Sequence, residues 1–303
     1  MSEEIIKRKF PQFKSEFAEL NGVKLHYVKS GPEDGKLIVL LHGFPQFWYM
    51  WRDQLLGLSK DYLVVAPDMR GYNTSSKPEG IEQYQPEHIV EDIRALVEEH
   101  FNRKKFILVG HDWGGVIGYP FANTHPELVE KLIIINAPHP NVFGRLISNN
   151  KDQQTSSQYV LFFRTQNAET FLSANDFQNL FGVVINDKMD IDDDDRQLYR
   201  EAWSQPGALT GGLNYYRAGG LRPPSQGEDI SELASEEMEL NPVMINVPTL
   251  VIWGEKDTAL TVHNLKGLDE FIPDLTIKRI PEGTHWVINE QPDKVNAMIR
   301  EFL

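Results

Sequence analysis

The sequence predicts an α/β fold, in which a mostly parallel central sheet is flanked by helices and interrupted by a helical insertion. Two observations predict this class. Short apolar runs alternate with amphipathic helical segments through the first half of the chain, and the alternation resumes near the C-terminus. The insertion is predicted because strand-like runs become rare between about residues 140 and 241.

The predicted strands are short apolar runs bounded by turn residues. Three of them are rich in Val, Ile and Leu and do not alternate with polar residues, as is typical of strands buried on both faces of a parallel sheet. These three are residues 62–66, 106–110 and 132–136. Further strands are predicted at residues 23–28, 37–41, 249–253 and 275–280.

The clearest predicted helix spans residues 86–101, where apolar residues recur at three- and four-residue spacing behind a proline suited to the first turn. Other helical segments are predicted at 157–163, 209–216 and 291–303. An acidic run at 190–195 is interpreted as a solvated loop and not as a calcium site.

These patterns divide the chain into two predicted domains. Residues 1–139 and 241–303 are expected to form the α/β core, and residues 140–240 a helical cap inserted after the sixth core strand.

Composition limits what the protein can do. The 303 residues include 30 Lys and Arg against 44 Asp and Glu, a net charge of −14, and no cysteine. Such an acidic chain repels phosphate backbones and anionic headgroups, so we expect neither nucleic acid nor a membrane as partner. Without cysteine, covalent chemistry must use an oxygen, a lysine or a histidine.

The location and assembly of the protein are predicted only broadly. The chain starts without an apolar stretch of signal-peptide length, and its apolar runs are too short to span a bilayer. We therefore expect a cytoplasmic protein that is a monomer or a homodimer.

The segment 106–116 is the most informative part of the sequence. A buried strand runs into Gly-His-Asp-Trp-Gly at 110–114 and then into a helix, which is the pattern of a nucleophile elbow. The strained turn needs small residues two positions either side of the nucleophile, and Gly110 and Gly114 stand there. The nucleophile position is occupied by Asp112, although the same residue could instead be an ordinary helix N-cap.

Two partners for Asp112 follow along the chain in the order nucleophile, acid, histidine. Asp257 comes just after the strand predicted at 249–253, and His285 just after the strand at 275–280. Because parallel strands assemble sites at their carboxyl ends, we expect the three side chains to meet there. His111 and His139 are weaker candidates for the catalytic histidine.

An oxyanion hole is predicted from the turn after the strand at 37–41. The sequence His-Gly-Phe-Pro at 42–45 can aim the Phe44 N–H into the site, and the Trp113 N–H is the second expected donor. His42 is expected to be structural. The sequence thus contains an oxyanion turn, a nucleophile elbow, an acid and a histidine in the expected order. Together these four elements predict the α/β-hydrolase fold.

Aspartate at the elbow changes the expected chemistry. A carboxylate is a poor acyl-transfer nucleophile, but it can displace a leaving group at saturated carbon and form an alkyl ester. His285, oriented by Asp257, can then activate water to hydrolyse that ester. A strained epoxide or a carbon–halogen bond would fit this scheme, whereas an esterase is disfavoured because the elbow lacks serine.

Several runs resemble the soluble and microbial epoxide hydrolases of the α/β-hydrolase fold. They lie at residues 42–52, 66–72, 110–115 and 136–140, and the likeness extends from about Val23 to the C-terminus. The resemblance implies a hydrolase acting on ether bonds, here the epoxide, whose role, in detoxification or in metabolism, the sequence leaves open. It also implies two cap tyrosines that bind the epoxide oxygen, which match Tyr159 and Tyr216 here.

Opening of an epoxide ring requires such donors, because the alkoxide that forms needs an acidic O–H beside it. Each tyrosine could instead be a packing residue of the cap. Neighbouring residues on a helix face different ways, so Tyr215 is expected to point elsewhere. The expected substrate is a small, neutral, apolar epoxide with water, and the expected contacts are Phe44, Pro45, Trp113, Tyr159 and Tyr216.

Two other functions remain open from the sequence. A haloalkane or haloacid dehalogenase could use the same Asp-His-Asp residues, although Trp113 stands where the fluoroacetate enzymes would need arginine. A non-catalytic ligand-binding protein of this fold would be expected to have a broken triad. No cofactor or metal is predicted, because metal-ligand spacings and glycine-rich phosphate loops are missing from the sequence.

Overall fold

A central eight-stranded sheet organises the chain in the computed structural model, which describes residues 2–20, 22–220, 222–225, 228 and 241–303. Its strands are β1 (Lys14–Leu20), β2 (Val23–Ser30), β3 (Lys36–Leu41), β4 (Tyr62–Pro67), β5 (Phe106–His111), β6 (Val129–Ile135), β7 (Thr249–Gly254) and β8 (Leu275–Ile280). Their spatial order is β1-β2-β4-β3-β5-β6-β7-β8.

Helices connect and flank these strands. In the described residues they are α1 (Ser2–Lys9), α2 (Arg52–Leu58), α3 (Pro86–Ala95), α4 (Trp113–Thr124), α5 (Pro140–Asn149), α6 (Lys151–Ser156), α7 (Tyr159–Phe163), α8 (Ala168–Val184), α9 (Asp193–Trp203), α10 (Ala208–Ala218), α11 (Val287–Glu290) and α12 (Pro292–Phe302). A 3₁₀ turn at Trp48–Trp51 precedes α2. No helix in the described ranges is long and apolar enough to cross a membrane.

Most neighbouring strands run parallel, as the uninterrupted apolar runs predict. From β4 through β8 all neighbouring strands are parallel, while β2 runs antiparallel to both β1 and β4. Every residue of β5 and β7 is buried, as expected of strands covered on both faces. The predicted α/β class with a mostly parallel sheet flanked by helices is thus confirmed.

Three local features differ from the sequence interpretation. The sequence does not predict the edge strand β1, because one of its faces is exposed and only Ala18 and Leu20 are buried. The helix predicted over 86–101 is α-helical only to Ala95 and continues as a π-helical turn at Leu96–His100. The acidic run is only partly a loop, since Asp192 caps α9 and Asp195 lies in its first turn.

Helices α5 to α10 lie between β6 and β7 in the chain, and α5 begins at Pro140. The boundary of the cap at 140–240 and the two-part core stay a prediction. Within that range, residues 221, 226–227 and 229–240 lie outside the described part of the chain.

Candidate active site

The turn between β5 and α4 places the carboxylate of Asp112 at the carboxyl edge of the sheet. Asp112 has φ 52° and ψ −123°, a positive φ that is strained for a residue with a side chain. A Cβ atom on Gly110 would collide with Gly114, and one on Gly114 would collide with the backbone of Leu41. The glycines are therefore needed for the close approach of strand and helix.

The Asp112 side chain does not cap α4, although the residue stands at the N-cap position. Its Oδ1 instead accepts a hydrogen bond from the Phe44 backbone N–H at 2.9 Å. The Trp113 backbone N–H lies close enough to this carboxylate to lower its pKa. Gly43 allows the two segments to touch, because a Cβ there would collide with the Asp112 side chain. The N–H groups predicted as oxyanion donors thus converge on one carboxylate.

His285 bridges two carboxylates. Its Nδ1 lies 2.7 Å from Asp257 Oδ2, and its Nε2 lies 3.5 Å from Asp112 Oδ2. Asp257 is fixed in turn, since its Oδ1 accepts the N–H groups of Ala259 and Leu260, each at 2.8 Å. The structure therefore brings together the three residues that the sequence order selected.

Burial and charge set the protonation of this group. Burial alone would lower the pKa of the His285 imidazole, but the charge of Asp257, hydrogen bonds to both carboxylates and the charge of Asp112 raise it to about 10. Burial would raise the pKa of the Asp112 carboxyl, yet its bond to His285, the charges of His285 and His111 and the Trp113 N–H lower it. The site at neutral pH therefore holds a carboxylate beside an imidazolium.

The inserted helices bring two tyrosines to this site. Tyr159 begins α7, Tyr216 lies on α10, and their ring centroids are 6.2 Å apart. The Tyr216 ring also packs edge-on against Phe44 at 5.5 Å and Trp113 at 5.1 Å. Burial first, and then the charge of Asp112, raise the pKa of both hydroxyls above the ordinary value, so both stay protonated.

Tyr215 points elsewhere, as expected, because its hydroxyl donates to the Arg70 carbonyl at 2.9 Å. His42 is fully buried, with Nε2 accepting the Met69 N–H at 3.1 Å, which agrees with a structural role. His111 lies beneath the site, where its Nε2 is 2.8 Å from the His285 carbonyl oxygen and burial lowers its pKa to about 4.

His139 is also excluded from the reactive group. Its Nε2 is 2.9 Å from the Val243 carbonyl oxygen, and its ring stacks on Phe271.

Sequence reasoning missed two residues that support the site. Asn136, at the carboxyl end of β6, donates from Nδ2 to Asp257 Oδ2 at 2.8 Å. An asparagine directly after a buried strand next to the strand of Asp257 was the signal that could have identified it. Trp203 on α9 donates from Nε1 to the Pro45 carbonyl at 2.6 Å, and no local pattern predicts that contact.

Pro45 itself follows Phe44 through a cis peptide bond, and its carbonyl faces α9. Within the described ranges, no group of three or more His, Asp or Glu side chains could hold a metal ion.

The whole arrangement is that of a nucleophile elbow with an acid and a histidine in the loops that follow later strands. The sequence model of the α/β-hydrolase fold matches residues 36–292. The chain therefore belongs to the α/β-hydrolase family.

Comparison with individual relatives assigns the chain more specifically within the α/β-hydrolases. The chain is 40% identical to an AB hydrolase superfamily protein, YfhM, of Bacillus subtilis, over 96% of this chain and 98% of that one. It is 34% identical to epoxide hydrolase 2 of Caenorhabditis elegans, over 95% of this chain and 79% of that one.

A solved structure of an epoxide hydrolase is also similar to this chain. A variant of an epoxide hydrolase from Bacillus megaterium, complexed with its product (R)-3-[1]naphthyloxy-propane-1,2-diol, superimposes with a TM-score of 0.85. The two chains are 36% identical, over 95% of this chain and 99% of the other. Within the α/β-hydrolases, this chain belongs to the epoxide hydrolase family.

Proposed function

We propose that this protein hydrolyses epoxides to vicinal diols through a covalent ester on Asp112. One observation carries the proposal. The Asp112 carboxylate has one oxygen bound by the Phe44 N–H and the other facing His285, beside two tyrosines that stay protonated. An anionic nucleophile and acidic donors are the groups that opening a neutral epoxide requires.

The first step follows from which oxygen is free to react. Oδ1 is engaged by the Phe44 N–H, so Oδ2 attacks a ring carbon and forms the new C–O bond. The carbon–oxygen bond of the epoxide breaks, and the alkoxide takes a proton from Tyr159 or Tyr216. Removing such donors from a developing oxyanion costs about 2–4 kcal/mol in other enzymes.

Ester formation also changes His285. Once Asp112 is esterified, one of the two charges that raise the pKa of His285 is gone, so that pKa falls. The imidazolium can then release its proton, which replaces the one lost by the tyrosine. His285 becomes a neutral base at the moment when the mechanism needs one.

The second step regenerates the enzyme. His285, held by Asp257, takes a proton from water, and the resulting hydroxide attacks the carbonyl carbon of the Asp112 ester. Oδ1 becomes the oxyanion bound by the Phe44 and Trp113 N–H groups. The bond from carbon to Oδ2 then breaks, and the leaving alkoxide takes up the proton of the new carboxyl group. The diol leaves with Oδ2, and the oxygen from water remains in the Asp112 carboxylate.

The lining of the site supports an apolar substrate. Phe44, Phe163 and Tyr216 form one aromatic cluster, with centroids 5.1–5.5 Å apart. In this proposal residues 140–240 are the cap that brings Tyr159 and Tyr216 over Asp112. The product bound to the Bacillus megaterium enzyme is an aryloxy diol, so aryl and aryloxy epoxides are the class that we propose here.

A parallel assay with styrene oxide and a haloalkane tests this function. We expect diol release from the epoxide and no halide release, and we expect Asp112→Ala to abolish turnover. Halide release without diol would contradict the proposal. Diol formation by the alanine variant at the wild-type rate would contradict the covalent mechanism. The expected cytoplasmic location and the monomeric or dimeric state remain predictions.

A further inference from the structure

Helix α9 presents three polar side chains, spaced four residues apart, to the loop that follows β3. Residues at this spacing lie on one face of a helix. Each makes one hydrogen bond to the loop segment 45–49, which also includes the start of the 3₁₀ turn. The bonds join Trp203 Nε1 to the Pro45 carbonyl at 2.6 Å, the Tyr199 hydroxyl to Gln46 Oε1 at 2.7 Å, and the Tyr49 hydroxyl to Asp195 Oδ1 at 2.5 Å.

The helix that carries these residues is itself fixed. The Asp192 side chain accepts the Asp195 N–H at 2.9 Å, and the Asp195 side chain accepts the Asp192 N–H at 3.1 Å, which closes a capping box. Lys9, from α1, reaches Asp195 Oδ1 at 2.5 Å. The first turn of α9 is thereby tied to the core at a second point.

The loop that α9 holds is the one that supplies the Phe44 N–H. The Trp203 bond ends on the carbonyl of the very next residue, Pro45. Trp203 is 7% exposed and packs against Phe181 at 4.8 Å and Tyr199 at 5.1 Å, so its indole has little room to move. A buried donor with a fixed ring fixes the peptide that it binds.

We propose that Trp203 is a positioning residue for the oxyanion hole, assisted by Tyr199. The inference rests on the proposed function, because it assigns a step to that mechanism. Trp203 does not contact the reacting atoms. It holds Pro45 so that the Phe44 N–H points at the place where Oδ1 of Asp112 gains charge.

This role affects the two chemical steps unequally. In ester formation Oδ1 loses charge as Oδ2 attacks, so a less precise Phe44 N–H costs little. In ester hydrolysis Oδ1 becomes a full oxyanion, and loss of one such donor costs about 10²–10³-fold in other enzymes. A donor that is misplaced but still present should cost less, about tenfold.

Rapid-quench mass spectrometry with styrene oxide separates these steps in Trp203→Phe, which removes the indole N–H and keeps an aromatic ring. We expect the rate constant of ester decay to fall about tenfold and that of ester formation to stay within about threefold. If decay limits turnover, kcat and KM should then fall together. A merely structural loss would reduce the amount of active enzyme and leave both rate constants unchanged.

Two further variants keep the test decisive. Trp253→Phe makes the same change at a buried tryptophan whose Nε1 has no partner in the described part of the chain, so both of its rate constants should match wild type. Tyr199→Phe removes only the hydroxyl bound to Gln46 and should slow decay about threefold, which provides a test if Trp203→Phe does not fold.

Unchanged ester decay in Trp203→Phe, or in Tyr199→Phe where only that variant folds, would overturn the inference. So would equal slowing of both steps. If the wild-type enzyme forms no ester and no diol, the proposed function fails, and that outcome is distinguishable because it appears before any variant is compared.

Discussion

Replacing Asp257 with asparagine removes one charge from beside His285 and changes the shape of the site very little. Asp257 Oδ2 lies 2.7 Å from His285 Nδ1, and its other oxygen is held by two backbone N–H groups. The pKa of His285 is raised from 6.5 to about 10, despite burial, by Asp257 and Asp112 together. That difference corresponds to about 5 kcal/mol of imidazolium stabilisation.

Once Asp112 is esterified, it no longer carries a charge that stabilises the His285 imidazolium. During ester hydrolysis that stabilisation therefore comes from Asp257. Asp257 is the largest favourable contribution to the pKa of His285, so its loss weakens His285 as a base. A positioned general base contributes about 10²–10⁴-fold to the rate in other enzymes. An asparagine can also favour the wrong imidazole tautomer, which would add to the loss. We therefore predict that ester decay slows by at least about 50-fold in Asp257→Asn.

The assay follows the Asp112 ester by acid quench and mass spectrometry after mixing with excess epoxide. Ester formation is the internal control and should stay within about fivefold of wild type, so the ester should accumulate. Thermal unfolding of the same sample shows that the variant is folded. Normal ester decay in a folded Asp257→Asn enzyme would refute the assignment of Asp257 as the partner of His285.

Two other predictions concern the tyrosines and stability. Tyr159→Phe and Tyr216→Phe should each slow ester formation from styrene oxide, and the double change should nearly stop it, since each donor is worth about 2–4 kcal/mol; normal turnover by the double variant would exclude this role. Lowering the pH from 6.5 to 4 should reduce the free energy of unfolding, as measured by urea titration. Burial lowers the folded-state pKa of His111 and His139 to about 4, so the unfolded chain binds more protons in this window and stability is lost as pH falls. His139→Gln should flatten the dependence, and an unchanged slope would contradict this origin.

The elements that the sequence predicted well are those whose burial leaves a local pattern. Strand β5 reads as an uninterrupted apolar run because both faces are covered, and the glycines at 110 and 114 mark the turn after it. The order of Asp112, Asp257 and His285 then predicts the site, since all three follow strands whose carboxyl ends share one edge.

What the sequence could not predict depends on contacts between distant residues. The acidic run was interpreted as a loop, but Asp192 and Asp195 close a capping box, and Lys9 reaches them from α1. Trp203 lies 158 residues from Pro45, so its role depends on how α9 meets the core. Strand β1 has no apolar run, because one of its faces is exposed.

A single turnover in water enriched with ¹⁸O tests the covalent mechanism most directly. With enzyme in excess over epoxide, the account predicts that the diol carries no ¹⁸O, because its new oxygen comes from Oδ2 of Asp112. The label should instead appear in the peptide that contains Asp112. ¹⁸O in the diol of the first turnover, with an unlabelled Asp112, would contradict the ester and indicate direct attack of water on the epoxide.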